Sequence, residues 1–422
     1  MSKKNLKVGI IGLGYVGLPL AIKFSFAGVN TIGFDVDLRK VKYLNSGKSY
    51  IKFFSNQTIE KIKKKKFIAT TDFSLIKEVD FIVMCLPTPL KKNKEPEMKY
   101  ITNSFNTILP YLKKNQCISL ESTTYPGTCD EIFVPKLKKK FNLGKNFFLV
   151  YSPEREDPGN KKFELGKIPK IIGGFSNRCL VKGKKFYELA NIKMIQVSSI
   201  KTAEFTKLLE NIYRSVNIGL VNELKSVTSK LNVNIFEVIN SAKTKPFGFQ
   251  AFYPGPGYGG HCIPIDPFLL AWKAKQLNVQ TKFIELSGKI NNSMPKKIVT
   301  KCIFLTKGNK RKKILIIGAA YKKNVDDMRE SPSLAIMDLF IKKNIFFEYH
   351  DPYINEISKL RNYNFNKKSI RLNSNNIKKF DIVLIVTDHD CINYSLILKN
   401  SKMIVDTRGK FYKIKLSKII SV

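Results

Sequence analysis

The fold of this chain is indicated by residues 6–17, which read LKVGIIGLGYVG. An apolar run typical of a buried strand leads into glycines at positions 12, 14 and 17, where a helix is expected to begin. Glycine permits a tight turn there and lets backbone amides approach a pyrophosphate at the helix N-terminus. Asp35 ends the next predicted strand, and its carboxylate suits a ribose diol but repels a 2′-phosphate. The pattern therefore predicts an NAD-binding domain and disfavours NADP.

Strands and helices alternate on both sides of a helical middle region. Predicted strands cover residues 6–12, 31–35, 81–86, 118–121, 147–152 and 170–174, with helices at 16–26, 101–112 and 129–141. The alternation resumes with strands at 313–318, 346–350, 382–387 and 403–406 around a helix at 333–342. This order is typical of α/β proteins. We expect two Rossmann-like, doubly wound parallel-sheet domains joined by a central helical domain.

The middle region has apolar residues at three- and four-residue spacing. This period spans residues 202–231 and predicts one long connecting helix, followed by helices at 267–276 and 281–291. Its apolar stripe suits a homodimer interface, although packing within one chain would need the same stripe. The predicted domains are 1–197, which binds NAD, 198–300, and 301–422, which is Rossmann-like. The middle domain carries the long helix, as the site of dimerisation, and the loop of residues 253–267 around Cys262, called the cysteine loop below.

The composition is that of a globular protein from a reducing compartment. Of the 422 residues, 43% are hydrophobic and 25% are charged. Seven scattered cysteines without a Cys-x-x-Cys pair argue against a disulfide framework or a zinc cluster and favour the cytoplasm. With only three histidines, no metal site is expected. No targeting segment or membrane-length apolar run is visible, so no membrane insertion is expected.

The net charge of +41 raises the hypothesis of a nucleic-acid partner, since basic surfaces attract polyanions. Lysine supplies most of the 74 basic residues, however, and these lysines are spread along the whole chain. No recognisable RNA- or DNA-binding module accompanies them. We therefore interpret the charge as a solvated surface and expect no nucleic-acid partner.

Residues 253–267, which read YPGPGYGGHCIPIDP, contain the strongest catalytic candidate. Cys262 follows a loop of glycines and prolines whose amides can approach a ligand, and Asp266 comes shortly after it. A thiol in such a loop suits covalent catalysis on an electrophilic carbon, provided that its surroundings favour the thiolate. The alternative is a tight turn followed by a packed cysteine.

Two pairs of polar residues are further candidates. Lys207 and Asn211 share one face of the long helix, where they either hold an oxyanion or lie on a solvated face. Glu154 and Arg155 follow a predicted strand, at the sheet edge where ligands of parallel sheets bind. They suit a base and an anion ligand, or else a capped charged turn.

The loop at residues 321–332 follows the first strand of the last domain. It lacks the glycine fingerprint, so no second dinucleotide site is expected there. Lys322 and Arg329 suit phosphate contacts, and a solvated loop is the competing interpretation.

Seven sequence blocks in a fixed order resemble the UDP-glucose/GDP-mannose dehydrogenase family. They are residues 12–17 with Asp35, 85–89, 121–127, 151–160, 203–211, 253–267 and 321–333. The resemblance runs essentially from end to end, and seven ordered blocks are far more specific than any one of them. Within the family, the segment EREDPG at residues 154–159 is similar to the equivalent segment of the UDP-N-acetylglucosamine 6-dehydrogenases.

The resemblance implies an NAD-dependent four-electron oxidation of a sugar CH2OH group to a carboxylate. An aldehyde is a poor hydride donor, whereas its thiohemiacetal with Cys262 can release a second hydride and become a thioester, which water hydrolyses. The resemblance also implies that residues 301–422 bind the nucleotide sugar.

The same resemblance assigns roles to individual residues. The catalytic set is the nucleophile Cys262, the oxygen ligands Lys207 and Asn211, the hydrolytic residue Glu154, and Asp266 with Thr124. The cofactor set is Gly12, Gly14, Tyr15, Val16, Gly17, Asp35, Lys40, Thr88, Thr124 and Arg329. The nucleotide-sugar set is Glu154, Arg155, Lys207, Asn211, Tyr253, Gly259, Tyr321 and Lys322.

The expected function is oxidation of UDP-N-acetyl-D-glucosamine at C6 to UDP-N-acetyl-glucosaminuronate for polysaccharide biosynthesis, by a cytoplasmic homodimer or larger homo-oligomer. UDP-N-acetylmannosamine, UDP-glucose and GDP-mannose are alternative substrates, because the sequence does not reveal the stereochemistry at C2. Two other classes compete. A two-electron hydroxyacid dehydrogenase would stop after one NADH, and a basic polyanion-binding protein would form none.

Overall fold

The computed structural model describes residues 6–51, 54–91, 93–155, 168–260, 262–307, 309, 311–360 and 363–422. They divide into two units. Unit 1 comprises Met1–Glu210 and Trp272–Asn278, and unit 2 comprises Asn211–Ala271 and Val279–Val422. The three predicted domain ranges stay a prediction. Among the described residues, no helix combines the length and the low polarity that crossing a bilayer requires.

Unit 1 is built on one sheet with helices between its strands. Its elements are β1 Lys7–Ile11, α1 Gly17–Phe26, β2 Asn30–Phe34, α2 Leu38–Asn45, α3 Asn56–Lys64, β3 Phe67–Thr70, β4 Phe81–Met84, α4 Lys99–Ile108, β5 Cys117–Leu120, α5 Val134–Lys138, β6 Phe148–Tyr151, β7 Lys170–Gly174, α6 Asn177–Leu189 and β8 Met194–Gln196. The strand order is β3-β2-β1-β4-β5-β6-β7-β8. The predicted parallel sheet is confirmed, but β6 and β7 pair antiparallel, which the alternation did not indicate.

Apolar residues at successive positions explain why the inner strands were predictable. In β4, Phe81 and Val83 belong to one buried cluster, whereas Ile82 and Met84 belong to another. Side chains alternate across a strand, so a sheet covered on both faces needs an unbroken apolar run. The strands β3 and β8 were not predicted. They are the outermost strands of the sheet, and each carries an exposed isoleucine in a short, mixed sequence.

The long helix α7, Ile200–Lys230, confirms the predicted connecting helix and contributes residues to both units. The chain continues with α8 Ile235–Ala242, α9 Asp266–Gln276, α10 Lys282–Leu305, β9 Ile314–Ile317, α11 Pro332–Lys342, β10 Phe347–His350, β11 Glu356–Lys359, β12 Asn364–Lys368, α12 Ser374–Lys378, β13 Ile382–Ile385, α13 Tyr394–Asn400, β14 Ile404–Asp406 and β15 Ile419–Ser421. Five of these strands form a parallel sheet in the order β10-β9-β13-β14-β15. The second Rossmann-like sheet is therefore confirmed.

Candidate active site

The glycine loop joins β1 to α1 in unit 1. Gly12 has a φ of +89°, and a Cβ there would lie 2.4 Å from the carbonyl oxygen of Cys85. A Cβ at Gly17 would lie 1.9 Å from the carbonyl oxygen of Gly12, so glycine is what allows α1 to begin this close to the turn. A Cβ at Gly14 would meet no described atom within 4 Å. That open side suits the close approach of a pyrophosphate to the helix N-terminus.

Asp35 follows β2 and is buried beside this loop. Its Oδ2 accepts hydrogen bonds from the Leu13 amide at 2.9 Å and from Lys40 Nζ at 3.0 Å. Its Oδ1 accepts one from the Asp37 amide at 2.9 Å. A carboxylate oxygen has two lone-pair directions, so Oδ1 retains one for a ribose hydroxyl. The carboxylate thus braces the glycine loop and can still serve as a ligand.

The other predicted cofactor residues of unit 1 lie on the loop and at the carboxyl edge of the sheet. Tyr15 is partly exposed, and Val16 immediately precedes α1. Thr88 Oγ1 donates to the Thr123 carbonyl at 2.7 Å. Thr124 is fully buried, and its Oγ1 has no hydrogen-bond partner among the described residues. A buried hydroxyl without a partner lowers the stability of the fold by about 1–3 kcal/mol. A hydrogen bond to a polar group of a ligand would offset that loss. The site therefore fits a dinucleotide.

Unit 2 also has an aspartate after a strand of its sheet, Asp351, but the hydrogen bonds of this aspartate differ from those of Asp35. Asp351 follows β10, as Asp35 follows β2, but His389 Nε2 donates to its Oδ2 at 3.0 Å. Because His389 Nδ1 accepts from the Asn324 amide at 2.9 Å, its proton lies on Nε2. The carboxylate also accepts backbone hydrogen bonds from Ala319, Ala320, Tyr353 and Ile354. All of these donors belong to unit 2, so the Asp351 carboxylate stabilises the fold of that unit.

The cysteine loop of unit 2 packs against the loop that follows β9. A Cβ at Gly259 would lie 2.8 Å from Tyr321 Cβ, and one at Gly260 would lie 2.8 Å from the Tyr321 ring. Gly260 has a φ of +87°, and its amide donates to the Arg329 carbonyl at 3.0 Å. The fold therefore brings together Gly259 and Tyr321, both of which were predicted to contact the nucleotide sugar.

Cys262 is an exposed thiol on the turn that leads into α9. Its carbonyl accepts hydrogen bonds from the Ile265 amide at 3.0 Å and from the Asp266 amide at 2.8 Å. The Asp266 side chain is buried, and its Oδ2 accepts from Asn211 Nδ2 at 2.5 Å. Exposure of the thiol does not fit the alternative of a packed cysteine. Unit 2 thus holds three predicted catalytic residues in one hydrogen-bonded arrangement.

Three further predicted residues are Lys207 in unit 1 and Tyr253 and Lys322 in unit 2. Lys207 is buried on α7 in unit 1. The Tyr253 hydroxyl donates to Asn240 Oδ1 at 2.7 Å, and Lys322 Nζ lies 5.7 Å from the centroid of the Tyr321 ring.

Arg329 lies in unit 2, where its guanidinium pairs with Asp327 at 2.6 Å. Its predicted contact with the cofactor, like the other predicted roles, stays a prediction. Residues 156–160 of the predicted block 151–160 and the histidine of the cysteine loop, His261, lie outside the described residues.

Glu154 and Arg155 follow β6 at the carboxyl edge of the sheet. Arg155 Nη2 pairs with Glu210 at 2.6 Å, and its amide donates to Glu154 Oε1 at 2.7 Å. Glu154 Oε2 accepts from Lys170 Nζ at 3.1 Å, and Glu121 accepts from the same Nζ at 3.0 Å. Sequence reasoning did not single out Lys170. Its position at the start of an apolar strand is its sequence mark, and this mark is weak in a chain so rich in lysine.

The sequence matches three consecutive domains described for one family. The NAD binding domain of the UDP-glucose/GDP-mannose dehydrogenase family matches residues 6–191, its central domain residues 201–293, and its UDP binding domain residues 315–413. The glycine loop and Asp35 thus fall within the NAD binding domain, and the cysteine loop falls within the central domain.

Relatives and solved structures agree with this match. UDP-N-acetyl-D-mannosamine dehydrogenase from Methanococcus aeolicus is 32% identical over 395 residues, which cover 92% of this chain and 86% of the relative. UDP-N-acetyl-D-glucosamine 6-dehydrogenase from Salmonella typhi is 29% identical over 393 residues, which cover 91% of this chain and 90% of the relative. The structure of UDP-N-acetyl-mannosamine dehydrogenase from Staphylococcus aureus is 31% identical, with a TM-score of 0.83 over 98% of this chain and 97% of that chain.

The predicted cofactor is NAD, and the matching domain confirms it. Three features of unit 1 fit that cofactor: the open space beside Gly14, the Asp35 Oδ1 atom, and the Thr124 hydroxyl, which has no partner in the described part of the chain. This chain therefore belongs to the UDP-glucose/GDP-mannose dehydrogenase family and is an NAD-dependent nucleotide-sugar 6-dehydrogenase, an oxidoreductase that acts on a CH–OH group.

Proposed function

We propose that this protein oxidises UDP-N-acetyl-D-glucosamine at C6 to UDP-N-acetyl-glucosaminuronate. The observation that carries the proposal is the exposed Cys262 thiol, which shares a turn with Asp266, the acceptor of the Asn211 amide. Covalent catalysis through a thiol lets one enzyme take an alcohol to the oxidation level of an acid. The similarity to a UDP-N-acetyl-D-glucosamine 6-dehydrogenase over 91% of this chain supports this choice of substrate.

Cys262 acts once the alcohol has become an aldehyde. Its thiolate adds to C6, and Asn211 and Lys207 stabilise the resulting oxyanion through hydrogen bonds and positive charge. Loss of hydride from this thiohemiacetal gives a thioester. Water then adds to C6 while Glu154 takes up a proton, the carbon–sulfur bond breaks, and the acid and the thiolate separate. Asp266 assists these steps through a water molecule or a lysine.

NAD, when bound, supplies the hydride acceptor for each two-electron step. The residues proposed to hold it are Gly12, Gly14, Tyr15, Val16, Gly17, Asp35 and Lys40, with Thr88 and Thr124 on the nicotinamide side and Arg329 near the cofactor. The nucleotide sugar is assigned to Arg155, Tyr253, Gly259, Tyr321 and Lys322 in addition to the catalytic residues. These assignments follow the family resemblance. We also propose that the chain consists of the three domains 1–197, 198–300 and 301–422.

A homodimer or larger homo-oligomer in the cytoplasm is part of the proposal. On α7, Leu220, Leu224 and Val227 are 52%, 41% and 52% exposed, and Leu231 after it is 67% exposed. An apolar stripe of this kind, recurring at helical spacing, is suited to a second copy of the same helix. A uronic acid product suits surface polysaccharide synthesis.

UDP-N-acetyl-D-mannosamine is the second candidate substrate. The Methanococcus aeolicus relative and the Staphylococcus aureus structure, both similar over more than nine-tenths of this chain, carry that substrate in their names. The two sugars differ only in the configuration at C2.

Counting NADH per sugar consumed tests the proposal. The purified protein is incubated with NAD and limiting amounts of UDP-N-acetylglucosamine, UDP-N-acetylmannosamine, UDP-glucose or GDP-mannose. We expect two NADH per sugar, with the highest kcat/KM for UDP-N-acetylglucosamine. A higher kcat/KM for its C2 epimer would transfer the assignment to that sugar. One NADH per sugar would contradict the four-electron route, and none, together with salt-sensitive heparin binding, would favour a polyanion-binding protein.

A further inference from the structure

A buried cluster of ionisable side chains lies behind Glu154 in unit 1. Lys170 is the first residue of β7 and is only 4% exposed. Its Nζ donates to Glu121 Oε2 at 3.0 Å, to Glu154 Oε2 at 3.1 Å and to the Pro153 carbonyl at 3.3 Å. An ammonium group has three N–H donors, so each of them has an acceptor here.

The two carboxylates that share Lys170 differ in their surroundings. Glu121 follows β5, and its Oε1 accepts from the Tyr187 hydroxyl at 2.7 Å. That hydroxyl also lies 2.7 Å from Ser119 Oγ, and burial raises the pKa of Glu121. The side chain of Glu121 is 0% exposed, whereas that of Glu154 is 20% exposed. Glu154 is thus the carboxylate of this cluster that reaches the surface.

Stability alone does not explain why this buried cluster is present. Taking a lysine and two carboxylates out of water has a desolvation penalty that their mutual attraction often fails to offset, and well-packed apolar residues often do as well. The geometry around Glu154 explains what the cluster achieves. Lys170 holds Oε2 while the Arg155 amide holds Oε1 at 2.7 Å, so the plane of the carboxylate is fixed at two points.

We propose that Lys170 is a positioning residue for thioester hydrolysis, orienting Glu154 and stabilising its negative charge. This inference rests on the role proposed above for Glu154. In that step a water proton passes to Glu154, the water oxygen bonds to C6, and the bond from C6 to the Cys262 sulfur breaks. Lys170 exchanges no atom with the substrate; its charge favours the carboxylate form, which can accept the proton.

Several charged or titratable groups set the charge of Glu154. Lys170 approaches from β7, Glu121 from the end of β5, and Arg155 from the neighbouring position, while Cys85 follows β4 and interacts with Glu154 electrostatically. Of these, Lys170 is the cation in direct contact with a Glu154 oxygen. Removing its charge leaves two adjacent carboxylates whose repulsion favours protonation of one of them.

The experiment compares Lys170→Met, Lys170→Arg and a matched control, Lys184→Met. Lys184 pairs with Glu188 on α6, and the two side chains are 33% and 49% exposed. Single turnovers with NAD and UDP-N-acetylglucosamine are quenched in acid, and the thioester on Cys262 is measured by intact-protein mass spectrometry. For Lys170→Met we expect hydrolysis to slow by roughly tenfold or more, with thioester accumulating while the first NADH forms at a nearly normal rate. The acid limb of the hydrolysis rate should move to higher pH. Lys170→Arg should restore most of the rate, and Lys184→Met should behave as the wild type.

Equal slowing of NADH formation and hydrolysis in Lys170→Met, with an unshifted acid limb, would overturn the inference. If Lys170→Met does not fold, Lys170→Met with Glu121→Gln removes the buried excess charge and is measured in the same way.

Glu154→Gln separates the two proposals. If Glu154→Gln hydrolyses the thioester at the wild-type rate, the proposed role of Glu154 is refuted. If Glu154→Gln hydrolyses it slowly but Lys170→Met does so at the wild-type rate, only the role of Lys170 is refuted. If Lys170 acts through Glu154, the effects of the two substitutions should not add in the double variant.

Discussion

Asn211 Nδ2 donates a hydrogen bond of 2.5 Å to Asp266 Oδ2, and both side chains are buried in unit 2. An ionised carboxylate only accepts hydrogen bonds, so the Asn211 atom that faces it must be the amide nitrogen. The contact therefore fixes which way the amide points. It also ties Asn211 to the turn of Cys262, because the Asp266 amide donates to the Cys262 carbonyl at 2.8 Å.

Asp266→Asn should lower kcat by roughly 100-fold, because it removes the charge and lets the Asn211 amide flip. Steady-state NADH formation gives kcat and KM, and the melting temperature shows whether the variant folds. Asp338→Asn on α11 is the control, because Asp338 forms an i,i+4 pair with Lys342 and its side chain is 31% exposed. A kcat for Asp266→Asn within twofold of the wild type would contradict this role.

Cys262→Ser should abolish net formation of the acid. A serine hydroxyl is far less ionised than a thiol, so the aldehyde should not be captured, and we expect turnover to fall by at least roughly 1,000-fold. The reaction should stop at the aldehyde level, and that intermediate should accumulate on the enzyme without a thioester. Cys391→Ser is the control, since Cys391 is also exposed but lies outside the cysteine loop. Full activity of Cys262→Ser would refute the thioester route.

Asp35→Ala should weaken NAD binding and relax the preference against NADP. The substitution removes a ribose acceptor and the brace on the Leu13 amide, so we expect the KM for NAD to rise by roughly 10-fold or more. The ratio of kcat/KM for NADP to that for NAD should rise as well, because a 2′-phosphate no longer meets a carboxylate. Asp37→Asn is the control, because Asn can replace the helix-capping contact of Asp37 with the Arg39 amide. An unchanged cofactor ratio would argue against Asp35 as the ribose ligand.

The inner strands were predictable from the sequence because both faces of each sheet are buried. A continuous apolar run such as Phe81–Met84 is typical of a strand covered on both faces, and the glycine loop marks the place where β1 ends and α1 begins. The short hairpin of β11 and β12 was missed, because it alternates polar and apolar residues over few positions. The antiparallel pairing of β6 and β7 also needed the structure, since it depends on which strand ends meet.

The candidate site was predictable where its chemistry lies in one segment. Cys262 and Asp266 share a turn, and Gly12 to Asp35 form one strand–helix–strand unit. Lys170 and Glu121 are far apart in sequence, and their ion pair depends on β5 and β7 being brought together by the strand between them. The start of an apolar strand is too weak a mark to distinguish that lysine from the many others in the sequence.

Glu204 on α7 provides a test of how burial controls stability in unit 1. Its Oε2 accepts from the Gly127 amide at 2.5 Å and its Oε1 from the Cys129 amide at 3.0 Å. These contacts hold the segment that follows Thr124. Burial raises the pKa of Glu204 to about 7, although both backbone hydrogen bonds oppose that shift.

Some carboxyl groups have a higher pKa in the folded than in the unfolded state. Such a group contributes most to the free energy of unfolding at pH values below its unfolded-state pKa, 4.5. That contribution is lost as pH rises towards 7, by about 3 kcal/mol at 1.36 kcal/mol per pKa unit. Glu204→Gln cannot ionise, so its melting temperature relative to the wild type should increase between pH 5 and 7. At low pH it should be the less stable protein, because one amide loses its acceptor. Glu188→Gln, at an exposed site on α6, should show no such trend; a parallel pH dependence for wild type and Glu204→Gln would show that Glu204 does not titrate in this range.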